Sequence, residues 1–342
     1  MNVSPHLAVW EVDPAGIPEA TWPEARLRFL IRYAILAPSS HNAQPWLFSI
    51  RENGIDLYAD RSRNLRTTDP HGRQMVIGCG CALHHLGVAM RHFGHQPVMS
   101  LQPDADDPDL LARVTMGDSV PPTDQNEGLF DAIPKRRTNR QLYEDTPLPE
   151  GLEAKLSAAV EAYGCGVHFS RDDCERVKIS GLIAAGDKIQ WSDKRFRLEL
   201  AAWTHPNSAP SSDGIPNYAM NHGDLLSLAG PLVIRTFDLG DGQAAKDSDI
   251  ARYSPALLVI NSVKDDTASW LATGQALSHA LLLAGHHGVS ASFLNQPIET
   301  DSLRPMLANT IGRSDYPQII LRMGIGPYVN PTPRRTVDEV TI

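Results

Sequence analysis

A short repeat constrains the fold of this 342-residue chain more than any other feature of its sequence. Gly80-Cys-Ala-Leu-His-His is matched by Gly274-Gln-Ala-Leu-Ser-His, an offset of 194 residues (274 minus 80), and at the same offset Gly94 aligns with Gly288 and Gln102-Pro103 with Gln296-Pro297. Small residues often match by chance between helices, but each copy also precedes a strand-like segment at the same place in its half. We therefore interpret the chain as a duplication, with two copies of one fold fused end to end.

Apolar periodicity predicts an α+β fold, with central antiparallel or mixed sheets flanked by helices. Predicted helices span 24–36, 74–92, 152–163, 173–190 and 270–287, and predicted strands span 46–50, 55–58, 113–116, 166–169, 231–237, 256–263 and 318–323. The segment 121–149 is rich in Pro, Asp and Arg and is the best candidate for a seam. We place an N-terminal half at 1–125 and a C-terminal half at 126–342. Residues 203–218 form either a lid or an ordered surface loop.

The balance of charges excludes some classes of partner. A net charge of −9 argues against general affinity for nucleic acid or anionic membranes. An arginine cluster in such an acidic chain therefore indicates a specific anion. Four cysteines are too few for a disulfide framework, and no basic leader or membrane-length apolar run is present in the sequence. We expect a reduced, cytoplasmic protein.

The segment Ala37–Trp46, with the sequence APSSHNAQPW, concentrates hydrogen-bonding side chains directly after an apolar helical run. The amides of Asn42 and Gln44 can donate to and accept from the edge of a flat heterocycle, and Ser39 and Ser40, which follow Pro38, can reach oxygens on such a ligand. The alternative is a capped helix junction, where Ser and Asn bond locally to the backbone.

A second polar motif, Arg136-Arg137-Thr138-Asn139-Arg140, lies about a hundred residues further on. If its backbone is extended, Arg136, Thr138 and Arg140 point to one side, because side chains alternate along a strand. Two guanidinium groups with a hydroxyl between them suit a phosphate. The alternative is a solvated basic loop. Arg334 and Arg335 follow Pro331-Thr-Pro333, whose fixed backbone favours a directed arm over a frayed tail.

Other motifs are weaker. Gly78-Cys-Gly-Cys lacks the third glycine of a dinucleotide fingerprint. Cys79 and Cys81 would point to different sides of a helix, so a zinc site with the adjacent histidines is disfavoured, and we assign no metal. The segment 288–292 lacks the final glycine of a nucleophile elbow, which argues against an α/β-hydrolase.

The loop Ala37–Trp46 resembles the flavin-contacting loop of the nitroreductase superfamily, and Arg136–Arg140 resembles its phosphate-binding motif. In ordinary members each subunit carries both motifs, whereas here each half carries one, as in the fused, Acg-type branch. The resemblance implies a pseudo-dimer with one complete FMN site. By resemblance, Arg136, Thr138, Arg140 and Arg335 hold the phosphate, with Arg334 beside them; the ring and ribityl contacts come from Pro38, Ser39, Ser40, Asn42 and Gln44; and the backbone of Leu294-Asn295-Gln296 faces the reactive nitrogen.

The resemblance also implies an activity. We expect an oxidoreductase in which NAD(P)H reduces FMN and a nitroaromatic or quinone-like acceptor reoxidises it. The flavin carries the chemistry, so no side chain is assigned as catalytic. The alternative is a protein that stores or sequesters FMN in a covered site without turnover. A monomer that acts as an internal dimer, with small-molecule ligands only, is the expected state.

Overall fold

The computed structural model describes residues 4–19, 23–220 and 230–342. Its helices are α1 (Pro5–Ala8), α2 (Pro23–Ala34), α3 (Arg73–His92), α4 (Asp124–Ala132), α5 (Leu152–Glu161), α6 (Asp173–Ser192), α7 (Lys194–Ala202), α8 (Gly230–Thr236), α9 (Gly240–Tyr253), α10 (Thr267–His286), α11 (Arg304–Thr310) and α12 (Val337–Val340). Its strands are β1 (Trp46–Arg51), β2 (Gly54–Ala59), β3 (His95–Leu101), β4 (Leu110–Ser119), β5 (Cys165–Ser170), β6 (Thr204–His205), β7 (Ile215–Pro216), β8 (Ala256–Ser262), β9 (Ser290–Phe293) and β10 (Tyr316–Gly324).

Two four-stranded antiparallel sheets share one topology. Their strand orders are β1-β2-β4-β3 and β5-β8-β10-β9. Along the chain, the four strands of each sheet take the first, second, fourth and third positions in the sheet. In each half a 20-residue helix connects the second strand of the chain order to the third: α3 connects β2 to β3, and α10 connects β8 to β9. The predicted duplication and α+β class are therefore confirmed. The boundary at 125/126 falls at the start of α4 and stays a prediction.

The two long helices cross at glycines related by the repeat. A Cβ atom built on Gly80 would lie 2.4 Å from the carbonyl oxygen of Leu271, and one on Gly274 would lie 2.1 Å from that of Ile77. The offset of 194 relates Gly80 to Gly274 and Ile77 to Leu271, so the two contacts are equivalent. The crossing is therefore reciprocal, like the interface of a two-fold dimer. Nδ1 of His84 lies 2.9 Å from Oγ of Ser278, its own counterpart in the repeat. The two backbones approach this closely only because neither glycine carries a side chain.

One hydrophobic core runs through both halves. It includes Leu27 and Leu83 from the first half and Leu282 and Ile319 from the second, all at most 3% exposed. Because this core is continuous across the contact between α3 and α10, the halves pack as one body rather than as linked domains. No helix in the described ranges is both long enough and apolar enough to cross a membrane.

The second half contains an insertion that the first half lacks. β1 and β2 are joined by a tight turn, whereas residues 171–255 separate β5 from β8 and include α6–α9 and the short parallel pair β6–β7. The prediction of a strand at 231–237 is wrong, because this segment belongs to helix α8. Its β-branched residues favour a strand, but Ile234 packs with Trp191, Phe196 and Leu200, and this tertiary contact outweighs the propensity.

Candidate functional site

The loop between α2 and β1 adopts an unusual backbone. His41, Asn42 and Gln44 have φ angles of 50°, 56° and 52°, in the left-handed region that non-glycine residues rarely enter. The hydroxyl of Ser39 accepts a hydrogen bond from the backbone N–H of Gln44 at 2.8 Å and closes the turn. Such conformations persist where the surroundings fix them, and they cluster at ligand sites.

The two amides of this loop are engaged by other protein segments. Asn42 donates to the carbonyl oxygens of Gly214 (3.0 Å) and Pro333 (2.9 Å), and its own oxygen accepts from Arg334. Gln44 donates to the Ser212 carbonyl at 2.8 Å, and its oxygen accepts from the backbone N–H of Arg335 at 2.7 Å. Both amides therefore hold the loop against segment 212–214 and the C-terminal arm.

An anion cavity of about 200 Å³ lies behind this loop, lined by Arg136, Arg137, Arg140 and Arg334. Thr138, Pro38, Ser39 and Asn42 also line it, so the arginine motif of one half meets the loop of the other. Thr138 forms a β-bridge with Ala291, so the backbone is extended at the centre of the motif, the condition under which alternate side chains share one side. The aromatic ring of Trp10 lies beneath two of the guanidinium groups, 4.0 Å from Arg137 and 4.8 Å from Arg334.

The positive charge in the anion cavity is uncompensated. None of its four arginines lies within 4 Å of a carboxylate in the described ranges, and the Nε atoms of Arg136, Arg137 and Arg334 are buried without a hydrogen-bond partner. Burial, followed by repulsion from Arg137, lowers the pKa of Arg136 to about 10. Burial, with Arg136 and Arg137, lowers the pKa of Arg334 well below its usual value. Buried cations of this kind need an anionic ligand.

Arg335, predicted to bind phosphate, lies elsewhere. Its guanidinium donates to the carbonyl oxygens of Gln44 (3.2 Å) and Glu339, and it lies 3.5 Å from the carboxylate of Asp60. Its charge is therefore already balanced by the protein. Neither Gln44 nor Arg335 lines the anion cavity or the main cavity described next.

A main cavity of about 310 Å³ continues from the anion cavity. The two share Pro38, Ser39, Thr138, Arg140 and Ile215. The predicted residues Ser40, Leu294, Asn295 and Gln296 line only the main cavity. Its apolar wall consists of Ile77, Trp191, Phe196, Leu200, Ile215, Leu277 and Phe293. A flat, largely apolar ring could therefore lie beside a bound phosphate.

The side chains at the end of β9 have protein partners. Oδ1 of Asn295 accepts from the backbone N–H of Ile320 at 2.9 Å, and the backbone N–H of Leu294 donates to the Ile320 carbonyl at 3.1 Å. The amide of Gln296 donates to Asp187 (3.2 Å) and Asp247 (2.8 Å). These contacts fix the strand end against β10 and against the insertion.

Sequence reasoning missed three carboxyl groups in the main cavity, which we call the acidic wall: Asp187, which is buried, and Asp247 and Glu299, which are half-buried. Burial, reinforced by Asp247, raises the pKa of Asp187 to about 8, and burial also raises the pKa of Asp247 and of Glu299. Two of the three come from the insertion, and no motif marks them. Across the described residues, no group of three or more His, Cys, Asp or Glu side chains is arranged to hold a metal ion.

The segment predicted as a lid lies directly on the loop. Asp213 forms an ion pair with Arg63 of the first half, and the guanidinium of Arg63 lies 5.5 Å from the ring of Trp203. Tyr218 donates to the carbonyl of Pro331 at 2.7 Å. Ile215 lines both cavities. The segment therefore borders the site, and its movement as a lid stays a prediction.

Comparison with known proteins places these observations in context. The chain is 32% identical over 328 residues to "Putative NAD(P)H nitroreductase Rv3131" of Mycobacterium tuberculosis, covering 93% of this chain and 92% of the relative. It is 29% identical over 328 residues to "Putative NAD(P)H nitroreductase acg" of the same species, covering 92% and 94%. The solved structure of the FMN- and NADPH-dependent nitroreductase NfnB from a Sphigopyxis strain is similar at 16% identity and a TM-score of 0.41, covering 62% of this chain and 96% of that one. No protein-family model matches the chain.

Proposed function

The chain belongs to the nitroreductase superfamily, and on that premise we propose that it is an FMN-dependent oxidoreductase. It would take electrons from NAD(P)H and pass them to a nitroaromatic or quinone-like acceptor. The observation that carries this proposal is the anion cavity, in which buried arginines face no carboxylate. The phosphate of FMN would supply the missing negative charge.

The residues present fit the rest of the cofactor. The main cavity joins the anion cavity through Thr138 and Arg140, so a phosphate and a ring system could occupy both at once. Ser39 uses its oxygen to accept from Gln44, which leaves its proton free to donate. The apolar wall would cover one face of the ring and exclude water. Arg136, Arg137, Arg140 and Arg334 would hold the phosphate with Thr138 beside them, a set that adds Arg137 to the predicted residues and omits Arg335.

When bound, FMN would supply the redox chemistry, accepting hydride equivalents and returning them to the acceptor. The protein's own part is to bind and orient. The left-handed turn at 41–44 sets the position of Ser39 and Ser40, and Asn42 and Gln44 hold that turn in place. Because each half contributes one motif, we propose one FMN per chain and a monomer that is complete in itself.

Purification gives the first test. The protein is expected to be yellow, with one FMN per chain; two per chain would contradict the split site. An anaerobic stopped-flow mix with NADH or NADPH should bleach the flavin band rapidly. A flavin that stays oxidised for minutes would instead support storage of FMN without turnover.

A double substitution tests the anion cavity. Arg136→Gln with Arg140→Gln should weaken FMN binding at least a hundredfold, because each hydrogen bond to a charged group contributes about 1.5–3 kcal/mol. Arg171→Gln is the matched control, since its side chain is 76% exposed. Stoichiometric FMN retained by the double variant at nanomolar protein would remove these residues from the site.

A further inference from the structure

The acidic wall lines the main cavity, and two of its three residues, Asp187 and Asp247, come from the insertion. Asp187 lies on α6 and is 2% exposed. A Cβ atom built on Gly186 would lie 2.8 Å from the backbone of Gln296, so α6 approaches the end of β9 closely at that glycine. The next residue, Asp187, therefore reaches the main cavity beside Gln296.

Of the other two carboxyl groups, Glu299 accepts hydrogen bonds at both oxygens and Asp247 at Oδ2 only. Glu299 accepts from Gln74 at 2.8 Å and from Gln190 at 2.7 Å. Asp247 accepts from Gln243 at 2.9 Å and from Gln296 at 2.8 Å. These glutamine donors are neutral, so they satisfy oxygen lone pairs without cancelling charge.

Asp187 differs from them in having a fully buried oxygen without a hydrogen-bond partner. Its Oδ1 accepts from Gln296 at 3.2 Å, but Oδ2 is buried with no partner, and the Oε1 atom of Gln296 is likewise unpaired. Two buried acceptor atoms on residues that line the main cavity thus have no donor. A buried acceptor of this kind is costly unless a ligand donates to it.

The charge at this end is also unbalanced. Among the described residues, no Lys, Arg or His lies within 4 Å of Asp187, Asp247 or Glu299. Lys246, Arg140 and Arg322 act on Asp247 at longer range. The groups that act on Asp187 are Asp247 and Glu299, both acidic, and the neutral amide of Gln296. A cation bound in the main cavity beside Asp187 would favour the ionised form of its carboxyl group.

We propose that the acidic wall binds a protonated nitrogen of the electron acceptor, with Asp187 as its principal partner. The inference rests on the proposed function and names its substrate class: small aromatic acceptors that carry an ammonium or amidinium group beside the reducible ring. The apolar side chains of Trp191, Phe196 and Leu277 line the same cavity and suit the ring. An organic cation fits better than a metal ion, since no three metal-ligand side chains converge within the described ranges.

Three ligands with one ring test the charge preference. Calorimetric titration of the protein as purified, with its FMN, would compare 4-nitrobenzylamine (cation), 4-nitrobenzyl alcohol (neutral) and 4-nitrobenzoate (anion). The amine is expected to bind at least tenfold more tightly than the alcohol, and the benzoate more weakly than both. Equal affinities for the amine and the alcohol would overturn the proposal.

Asp187→Asn tests the residue. It keeps the side-chain shape and an acceptor for Gln296, and it should raise the Kd of the amine at least tenfold while changing that of the alcohol less than twofold. Asp249→Asn is the matched control, since Asp249 is exposed on α9 and lies outside the cavity lining. Equal effects of Asp187→Asn on both ligands would overturn the assignment.

Two further readouts separate the possible failures. The thermal stability of Asp187→Asn should match or exceed that of the wild type, because a desolvated carboxyl group is removed, so weaker amine binding is not a folding defect. Protein without flavin, or flavin that NAD(P)H does not reduce, refutes the proposed function. Normal FMN content and reduction without a preference for the amine refutes only the cation subsite.

Discussion

The crossing of α3 and α10 allows a sharp test of the duplicated architecture. In Gly274→Ala, the new Cβ would lie 2.1 Å from the carbonyl oxygen of Ile77, whereas an ordinary contact begins at 3.4 Å. The opposing helix must therefore retreat by about 1.3 Å, the difference between these distances. The obstacle is backbone, so no side-chain rotation relieves the clash.

The energetic terms have opposite signs. Overpacking of this kind costs about 1–3 kcal/mol, and a displacement of about 1.3 Å belongs at the upper end. Alanine recovers about 1 kcal/mol of helix propensity. We expect a net loss of about 1–2 kcal/mol. Gly285→Ala, in the same helix, is the matched control: its nearest neighbour is 3.9 Å away, and it should gain up to about 1 kcal/mol.

Urea unfolding of both variants with FMN bound, followed by circular dichroism, measures the difference. The midpoint of Gly274→Ala should lie below that of the wild type and that of Gly285→Ala at or above it. Because the cavities lie between the halves, Gly274→Ala should also bind FMN more weakly. If Gly274→Ala proved as stable as Gly285→Ala, the reciprocal contact described above could not be correct.

Two further predictions concern thiols and pH. Cys174 is exposed, whereas the thiols of Cys79, Cys81 and Cys165 are buried and burial raises their pKa values. Ellman's reagent should therefore modify one thiol per native chain rapidly. The substitution Cys174→Ser should remove this rapid reaction. Burial alone would raise the pKa of Asp213, but His205 and Arg63 hold it down to about 2. Its stabilising contribution, about 2 kcal/mol, is therefore fully present above about pH 4 and lost as the pH falls through 2. The difference in unfolding free energy between wild type and Asp213→Asn, from urea titrations at several pH values, should shrink over that range; a constant difference would contradict the ion pair.

Local patterns predicted the three 20-residue helices and six of the eight strands in the two large sheets. The helices α3 and α10 and the hairpin β1–β2 follow from apolar spacing and turn residues, which are local signals. α8 was misassigned because its β-branched residues favour a strand, while its contact with Trp191 and Phe196 depends on residues distant in sequence. The repeat predicted the duplicated fold, which secondary-structure propensity alone could not, because it relates two segments that occupy equivalent positions in the two halves.

The site was only partly predictable. Sequence spacing identified the arginine motif and the loop, but it could not separate a side chain that faces a ligand from one that fixes the loop. Gln44 and Arg335 were predicted to contact FMN; both are bonded to protein atoms and line neither cavity, so their contact with FMN stays a prediction. Asp187 and Asp247 carry no motif, because only the packing of the insertion onto Gln296 brings them to the cavity.

The reciprocal glycine contact bears on how the site behaves at low protein concentration. A site assembled from two separate subunits comes apart on dilution, whereas two halves of one chain meet at an effective concentration that the connecting segment sets, often about millimolar. Opening of the contact between α3 and α10 is then a first-order event. The fraction of open molecules should be the same at nanomolar and micromolar protein. Flavin loss on dilution would then report the intrinsic affinity of the cavity for FMN, because the two halves that form the cavity do not separate on dilution.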